Sequence, residues 1–247
     1  MITALLTAGA AAGPTGPAGP AAPAGPGGSL SLAVNGLDGT PSTSIVLILA
    51  ITALSVAPAL LLMMTAFTKI VVVLSITRNA LGLQGVPPNQ VLAGLALFLS
   101  LFVMAPVIHE INETAVQPFL AGGISQADMF TLASEPLKHF MLAQTRDEDL
   151  ALITRAADRA NPASPDDVPM MTLIPAFLLS ELRAAFIIGF VIYVPFLVID
   201  IVVSSGLMAL GMMMLPPVTV SLPFKLLLFV LVNGWGLIIT ALVGSYQ

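Results

Sequence analysis

Cysteine is absent from the 247 residues. That excludes a disulfide framework, a thiolate metal site and a cysteine nucleophile. Histidine is nearly absent: His109 and His139 are too few for a histidine-rich metal centre. Charge is scarce as well. Charged residues make up 9% of the chain, against about 25% in an ordinary soluble domain. The formal net charge of -5 leaves no basic face for a nucleic acid, so no nucleic-acid partner is expected. What fills the chain is apolar: 57% hydrophobic residues and a mean hydropathy of +1.00. This is a membrane-class composition, and the long apolar runs point to an all-α fold.

Residues 1–43 open with a low-complexity Gly/Pro/Ala stretch that cannot form a packed element and is expected to be a flexible leader. The apolar start and small residues favour a signal peptide there; the missing Lys or Arg and the short apolar stretch count against one. Four apolar blocks follow, each close to the roughly 20 residues that cross a hydrocarbon core. They are Ser44 to Phe67, with a kink expected at Pro58, then Val91 to Ile108, Ala184 to Val203 and Leu222 to Val243. The expected organisation is a helical hairpin over 44–108, a polar insert over 109–170 and a second hairpin over 171–247.

The insert holds ten acids and four bases, so it reads as a water-exposed helical domain. Leu137, Phe140 and Met141 give it one apolar face. Thr145 and Glu148 have capping-box spacing, which predicts a helix starting at Arg146. Lys69 and Arg78 follow the first block with no acid beside them, which puts that loop in the cytoplasm by the positive-inside rule and the insert outside. They also suit anchoring to anionic lipid or acidic partners.

Two loops share a plan. Ala80-Leu81-Gly82 precedes Pro87-Pro88 by four residues, and Ala209-Leu210-Gly211 precedes Pro216-Pro217 by four. The chain therefore reads as two repeat-like halves in parallel orientation. Gly82, Pro87, Pro88, Gly211, Pro216 and Pro217 are the expected helix breaks.

The second loop carries Met212, Met213 and Met214 just before its proline pair. Methionine is unbranched and adaptable, and apolar constrictions gate pores by excluding water. The run is a candidate pore seal; ordinary packing is the alternative. Asp200 and Lys225 are isolated charges beside apolar blocks, where charges are usually paired or functional. Their midpoint falls inside the methionine run, so a chain reversal there sets them level; pairing across subunits or snorkelling are the alternatives. Glu181 and Arg183 are two apart and do not face one another on one helix; they suit a subunit interface or a solvated helix start. His109, Glu110 and Glu113 are too loosely spaced for a metal site, and no nucleophile motif is present. Neither an enzymatic activity nor a cofactor is expected. A secondary transporter or small-solute channel built from duplicated hairpins would also fit this pattern.

Longer motifs carry a resemblance. RNALG at Arg78 to Gly82, VPPNQVLAGLALFLSLFVM at Val86 to Met104, FMLAQTR at Phe140 to Arg146 and MALGMMMLPPVTVSLPFKLLLFVLVNGW at Met208 to Trp235 are similar to the FliP/SctR family of type III secretion export-gate proteins. The wording LPPVTVSLPFK resembles the flagellar branch. The resemblance covers nearly all of the chain beyond the leader. It implies several copies assembled with the membrane proteins FliQ and FliR into a helical pore for unfolded flagellar proteins. It also implies a methionine-rich loop that closes the conduit, and hydrophobic helices sitting largely above the bilayer plane. Family members usually carry a cleaved signal peptide.

Overall fold

Ile70, Val73, Leu74 and Thr77 recur at the spacing of one helical face, and all four are fully buried. They belong to helix α2, Phe67–Ala80, around which the main core is built. The computed structural model describes residues 43–159, 162, 164–212 and 214–246, and among these it is all-helical. The expected leader and its signal lie outside the described residues, apart from the first residue of α1. By its contacts the chain divides after Ile51, inside helix α1, Thr43–Met63; the packing described below concerns Thr52 onward.

The first apolar block is expected to reach Phe67 with a kink at Pro58; the helix runs through Pro58, breaks at Met64 to Ala66, and Phe67 begins α2. Thr65 explains the position. Its Oγ1 donates to the Leu62 carbonyl at 2.8 Å and accepts from the Phe67 amide at 3.3 Å, so one side chain serves both broken ends. Lys69 and Arg78, expected in a loop, lie on α2. Two cations and 14 residues hide this helix from a hydropathy window; its 3.6-residue apolar stripe is the signal that finds it.

Helix α3, Asn89–Ile111, continues through a π-turn, Asn112–Val116, into the short α4, Gln117–Leu120. Pro118 has no N–H for the Thr114 carbonyl, and its ring crowds that turn, so the ladder widens there. The chain from His109 to Leu120 thus continues the helical rod of α3. Helix α5, Gln126–Gln144, begins at a true capping box. The Asp128 amide donates to Ser125 Oγ at 3.2 Å and the Ser125 amide donates back to Asp128 Oδ2 at 3.3 Å. The box expected at Thr145 does not form. Helix α6, Asp147–Ala156, starts without a side-chain cap, because Thr145 Oγ1 turns back to the Met141 carbonyl at 2.7 Å.

Helix α7, Met170–Ala209, is 40 residues long. Its first half packs Leu173 and Phe177 against Met141 of α5 and Val168, with Leu137 and Phe140 alongside, in a second core. Its second half brings Ala185 and Phe196 to the main core. Helices α8, Pro217–Leu231, and α9, Gly234–Gly244, meet at a 61° bend, where Asn233 takes a left-handed conformation. Phe229 of α8 and Ile238 and Leu242 of α9 complete the main core with Leu92 and Ala96 of α3. Among the described residues, three helices are long and apolar enough to cross a membrane, and the α8–α9 pair qualifies only as one bent unit.

The two loops expected to match do share their helix ends. Gly82 and Gly211 both have positive φ, +74° and +73°. In each, the glycine amide bonds the carbonyl three residues back and the next amide bonds the carbonyl five residues back: Leu83 to Arg78, and Met212 to Leu207. This is the Schellman arrangement, which needs a left-handed residue and so favours glycine. The halves beyond the loops differ. The helix before the first glycine has 14 residues and the one before the second has 40.

Candidate functional site

Three charged clusters pin the helices to one another, two in the first half of α7 and one beside the uncharged loop between α7 and α8. The first buries both of its charges. Lys69 Nζ on α2 lies 3.0 Å from Glu181 Oε1 on α7, with side chains 3% and 1% exposed. The Tyr246 hydroxyl donates to Glu181 Oε2, its oxygen lies 3.3 Å from the Ala66 carbonyl, and its ring sits 3.7 Å beneath the Lys69 ammonium. Lys69 also donates to Ser245 Oγ at 3.3 Å. Ion pair, cation–π contact and hydroxyl donation offset the desolvation of both charges. Burial still lowers the Lys69 pKa, with Glu181 opposing the shift. Burial and the neighbouring Glu181 push the Tyr246 phenol well above its ordinary 10.0.

The second cluster clasps the polar insert onto α7. Ser180 Oγ donates to the buried Asp149 Oδ2 at 2.7 Å and accepts from the Arg146 amide at 3.0 Å. Arg183 Nη1 reaches Glu148 Oε2 at 3.3 Å and Asp149 Oδ1 at 3.6 Å. Glu181 and Arg183 therefore face different neighbours, and both sit within a long helix rather than at its start.

The third cluster stands beside the methionine loop. Lys225 Nζ on α8 donates to Asp200 Oδ2 on α7 at 2.6 Å and to the Ala80 carbonyl at 3.1 Å. Ser221 Oγ donates to Asp200 Oδ1 at 2.5 Å. One lysine thus ties the α7–α8 hairpin to the first glycine turn, and a Cβ on Gly82 would lie 3.9 Å from its ammonium. Arg78 holds the other side of that turn, donating to the Pro87 carbonyl at 3.2 Å and to Asn89 Oδ1 at 2.6 Å. Pro88 and Pro216 then supply the N-caps of α3 and α8, with Pro217 the first residue of α8.

Met213 lies outside the described residues. Its neighbours are turned outward: Met214 is 98% exposed and Met212 48%. Met212 lines a small cavity of about 240 Å³ with Ser204, Leu207, Met208, Leu215 and Pro217. His109 and Glu113 make an exposed i,i+4 contact of 3.5 Å, with Glu110 on the same helix. Among the described residues no group of three His, Cys, Asp or Glu side chains could hold a metal ion.

Sequence reasoning misses Ser180, Ser221, Asp149 and Tyr246. The serines and Asp149 carry no spacing signal. Tyr246 does stand out as a polar ring closing an apolar run. Lys69, expected to face lipid or acidic partners, faces Glu181 because α2 is buried.

These features define an all-helical membrane protein whose buried charges clasp its helices together, one pair of them beside a neutral, methionine-bearing loop. Residues 50–242 match the FliP family. The flagellar biosynthetic protein FliP of Bacillus subtilis (strain 168) is 54% identical over 205 residues, covering 83% of this chain and 93% of that one. The protein of the same name from Pectobacterium carotovorum subsp. carotovorum is 55% identical over 196 residues, covering 79% and 76%. That of Aquifex aeolicus (strain VF5) is 45% identical over 212 residues, covering 85% and 89%. The chain belongs to the FliP family.

Proposed function

We propose that this protein is a structural subunit of the flagellar protein-export gate, without catalytic activity of its own. Several copies, with FliQ- and FliR-like partners, form the wall of a conduit for unfolded flagellar proteins at the bacterial inner membrane. The loop from Met212 to Met214 is its seal, and the 109–170 insert lies on the periplasmic side.

One observation carries the reading. At about 1.5 Å per residue, the 40 residues of α7 make a rod roughly 60 Å long. The hydrocarbon core of a bilayer is about 30 Å thick, and helix tilts reach only about 40°. Such a tilt leaves α7 spanning about 45 Å. Yet Met171, Phe186, Phe190, Val202 and Met208 are exposed along it, over about 55 Å of its length. Lipid alone does not cover a surface of that length, so other protein chains must.

A small-solute transporter would need free polar groups at a binding site. The charges nearest the loop, Asp200 and Lys225, are engaged with each other, with Ser221 and with Ala80. The neutral loop suits a seal that excludes water and yields to a passing chain. Replacing Met212, Met213 and Met214 together with alanine is expected to raise the ion conductance of membranes holding the assembled complex. An unchanged conductance with assembly intact rejects the seal.

A further inference from the structure

Resting on that reading of the loop, we infer that the thioethers of Met212 and Met214 are sites of reversible S-oxygenation, which makes the seal sensitive to peroxide-class oxidants. Oxidation of methionine follows access to the sulfur. Met214 is 98% exposed and Met212 48%, whereas Met104 and Met141 are buried at 3% and 0%. Those buried sulfurs belong to α3 and α5 and serve as references within the same chain. The chain has no cysteine to intercept the oxidant first.

The step balances with a peroxide alone. A sulfur lone pair attacks one peroxide oxygen, the O–O bond breaks and an S–O bond forms. Sulfur is oxidised by two electrons. The departing hydroxide takes the proton of the transferred oxygen and leaves as water. The product is a polar sulfoxide on what was an apolar arm, and methionine sulfoxide reductases reverse it. Polar groups on a constriction that works by dewetting let water in. One oxygen atom at this loop therefore changes the property on which the seal depends.

The test uses the assembled complex in membranes, treated with graded hydrogen peroxide, quenched and digested for peptide mass spectrometry. Met214 is expected to gain oxygen at least about tenfold faster than Met104 and Met141, with Met212 between them. Equal rates overturn the proposal. Ion conductance measured in parallel is expected to rise with sulfoxide content and to fall after treatment with the reductases. The response to peroxide should vanish in Met212→Leu/Met213→Leu/Met214→Leu, whatever its starting conductance, since leucine conserves volume but not sulfur. Selective oxygenation with no change in conductance keeps the modification site and overturns the seal. The wild-type rates need no variant, so they decide between these outcomes even if the leucine chain fails to assemble.

Discussion

Lys69 and Glu181 lose their water together, and neither is stable there without the other. A buried ion pair contributes little against a well-packed apolar pair, but removing one partner strands the other charge at a penalty of about 3–5 kcal/mol. Lys69→Met is therefore expected to destabilise the protein by about that amount, with Glu181→Leu similar. The double change should recover most of the loss, because no charge is left stranded. Denaturant unfolding of the four proteins in detergent checks it; a double mutant worse than both singles means the cluster is not a closed pair. The three clusters differ in how far the sequence reveals them. Asp200 and Lys225 flank a chain reversal at equal distances, so their meeting at 2.6 Å follows from spacing. Glu181 and Lys69 are far apart in the chain, and only the packing of α2 against α7 joins them. The Ser180–Asp149 contact is illegible for the same reason. Serine in an apolar helix signals nothing until its partner is known.

Helix ends are easier to read than helix middles, because glycine and proline act locally. Gly82 and Gly211 mark two caps with the same hydrogen bonds and nearly the same φ. Their surroundings separate them. A Cβ on Gly82 would come within 3.3 Å of Val218 Cγ1 and 3.7 Å of Leu222 Cδ1, whereas nothing lies within 4 Å of one on Gly211. Gly211→Ala is thus expected to cost only the left-handed backbone strain, about 1 kcal/mol. Gly82→Ala also requires the Val218 side chain to give way by a few tenths of an ångström and should cost more. Thermal unfolding that ranks the two the other way rejects the packing argument. Helix α2 is hidden for the opposite reason to the caps. It is short and carries two cations, and the break ahead of it is made by Thr65 without glycine or proline, so it reads as a charged loop after the first apolar block. The block over α8 and α9 looks continuous in sequence because its break uses a left-handed Asn233 before Gly234 rather than a proline.

Outside residues 109–170, the chain from Thr52 onward buries or half-buries its charges apart from Arg183 and leaves many large hydrophobic residues exposed, the reverse of a soluble fold. Lys69, Glu181 and Lys225 are inside; Phe98, Phe102, Phe186, Phe190, Phe224 and Leu227 are outside. An inverted surface of this kind demands an apolar environment, and lipid and neighbouring subunits supply it in different ways. Lipid tolerates any apolar side chain, whereas a protein interface needs shape and is broken by a single buried unpaired charge. Phe190 separates the two. It lies just past the middle of α7, beside a groove of about 690 Å³ lined by Ile76, Phe186, Ile187 and Tyr193. Phe190→Glu should abolish the large complex while Phe190→Leu preserves it, measured as native mass after detergent extraction. If the face instead meets lipid, glutamate is still costly, but Phe190→Ala separates the cases. Against lipid it loses little, because hydrocarbon chains fill the space. In a packed interface it leaves a cavity costing about 3–5 kcal/mol, and the complex should dissociate at lower detergent concentration than the parent. A complex as robust as the parent would place this face against lipid.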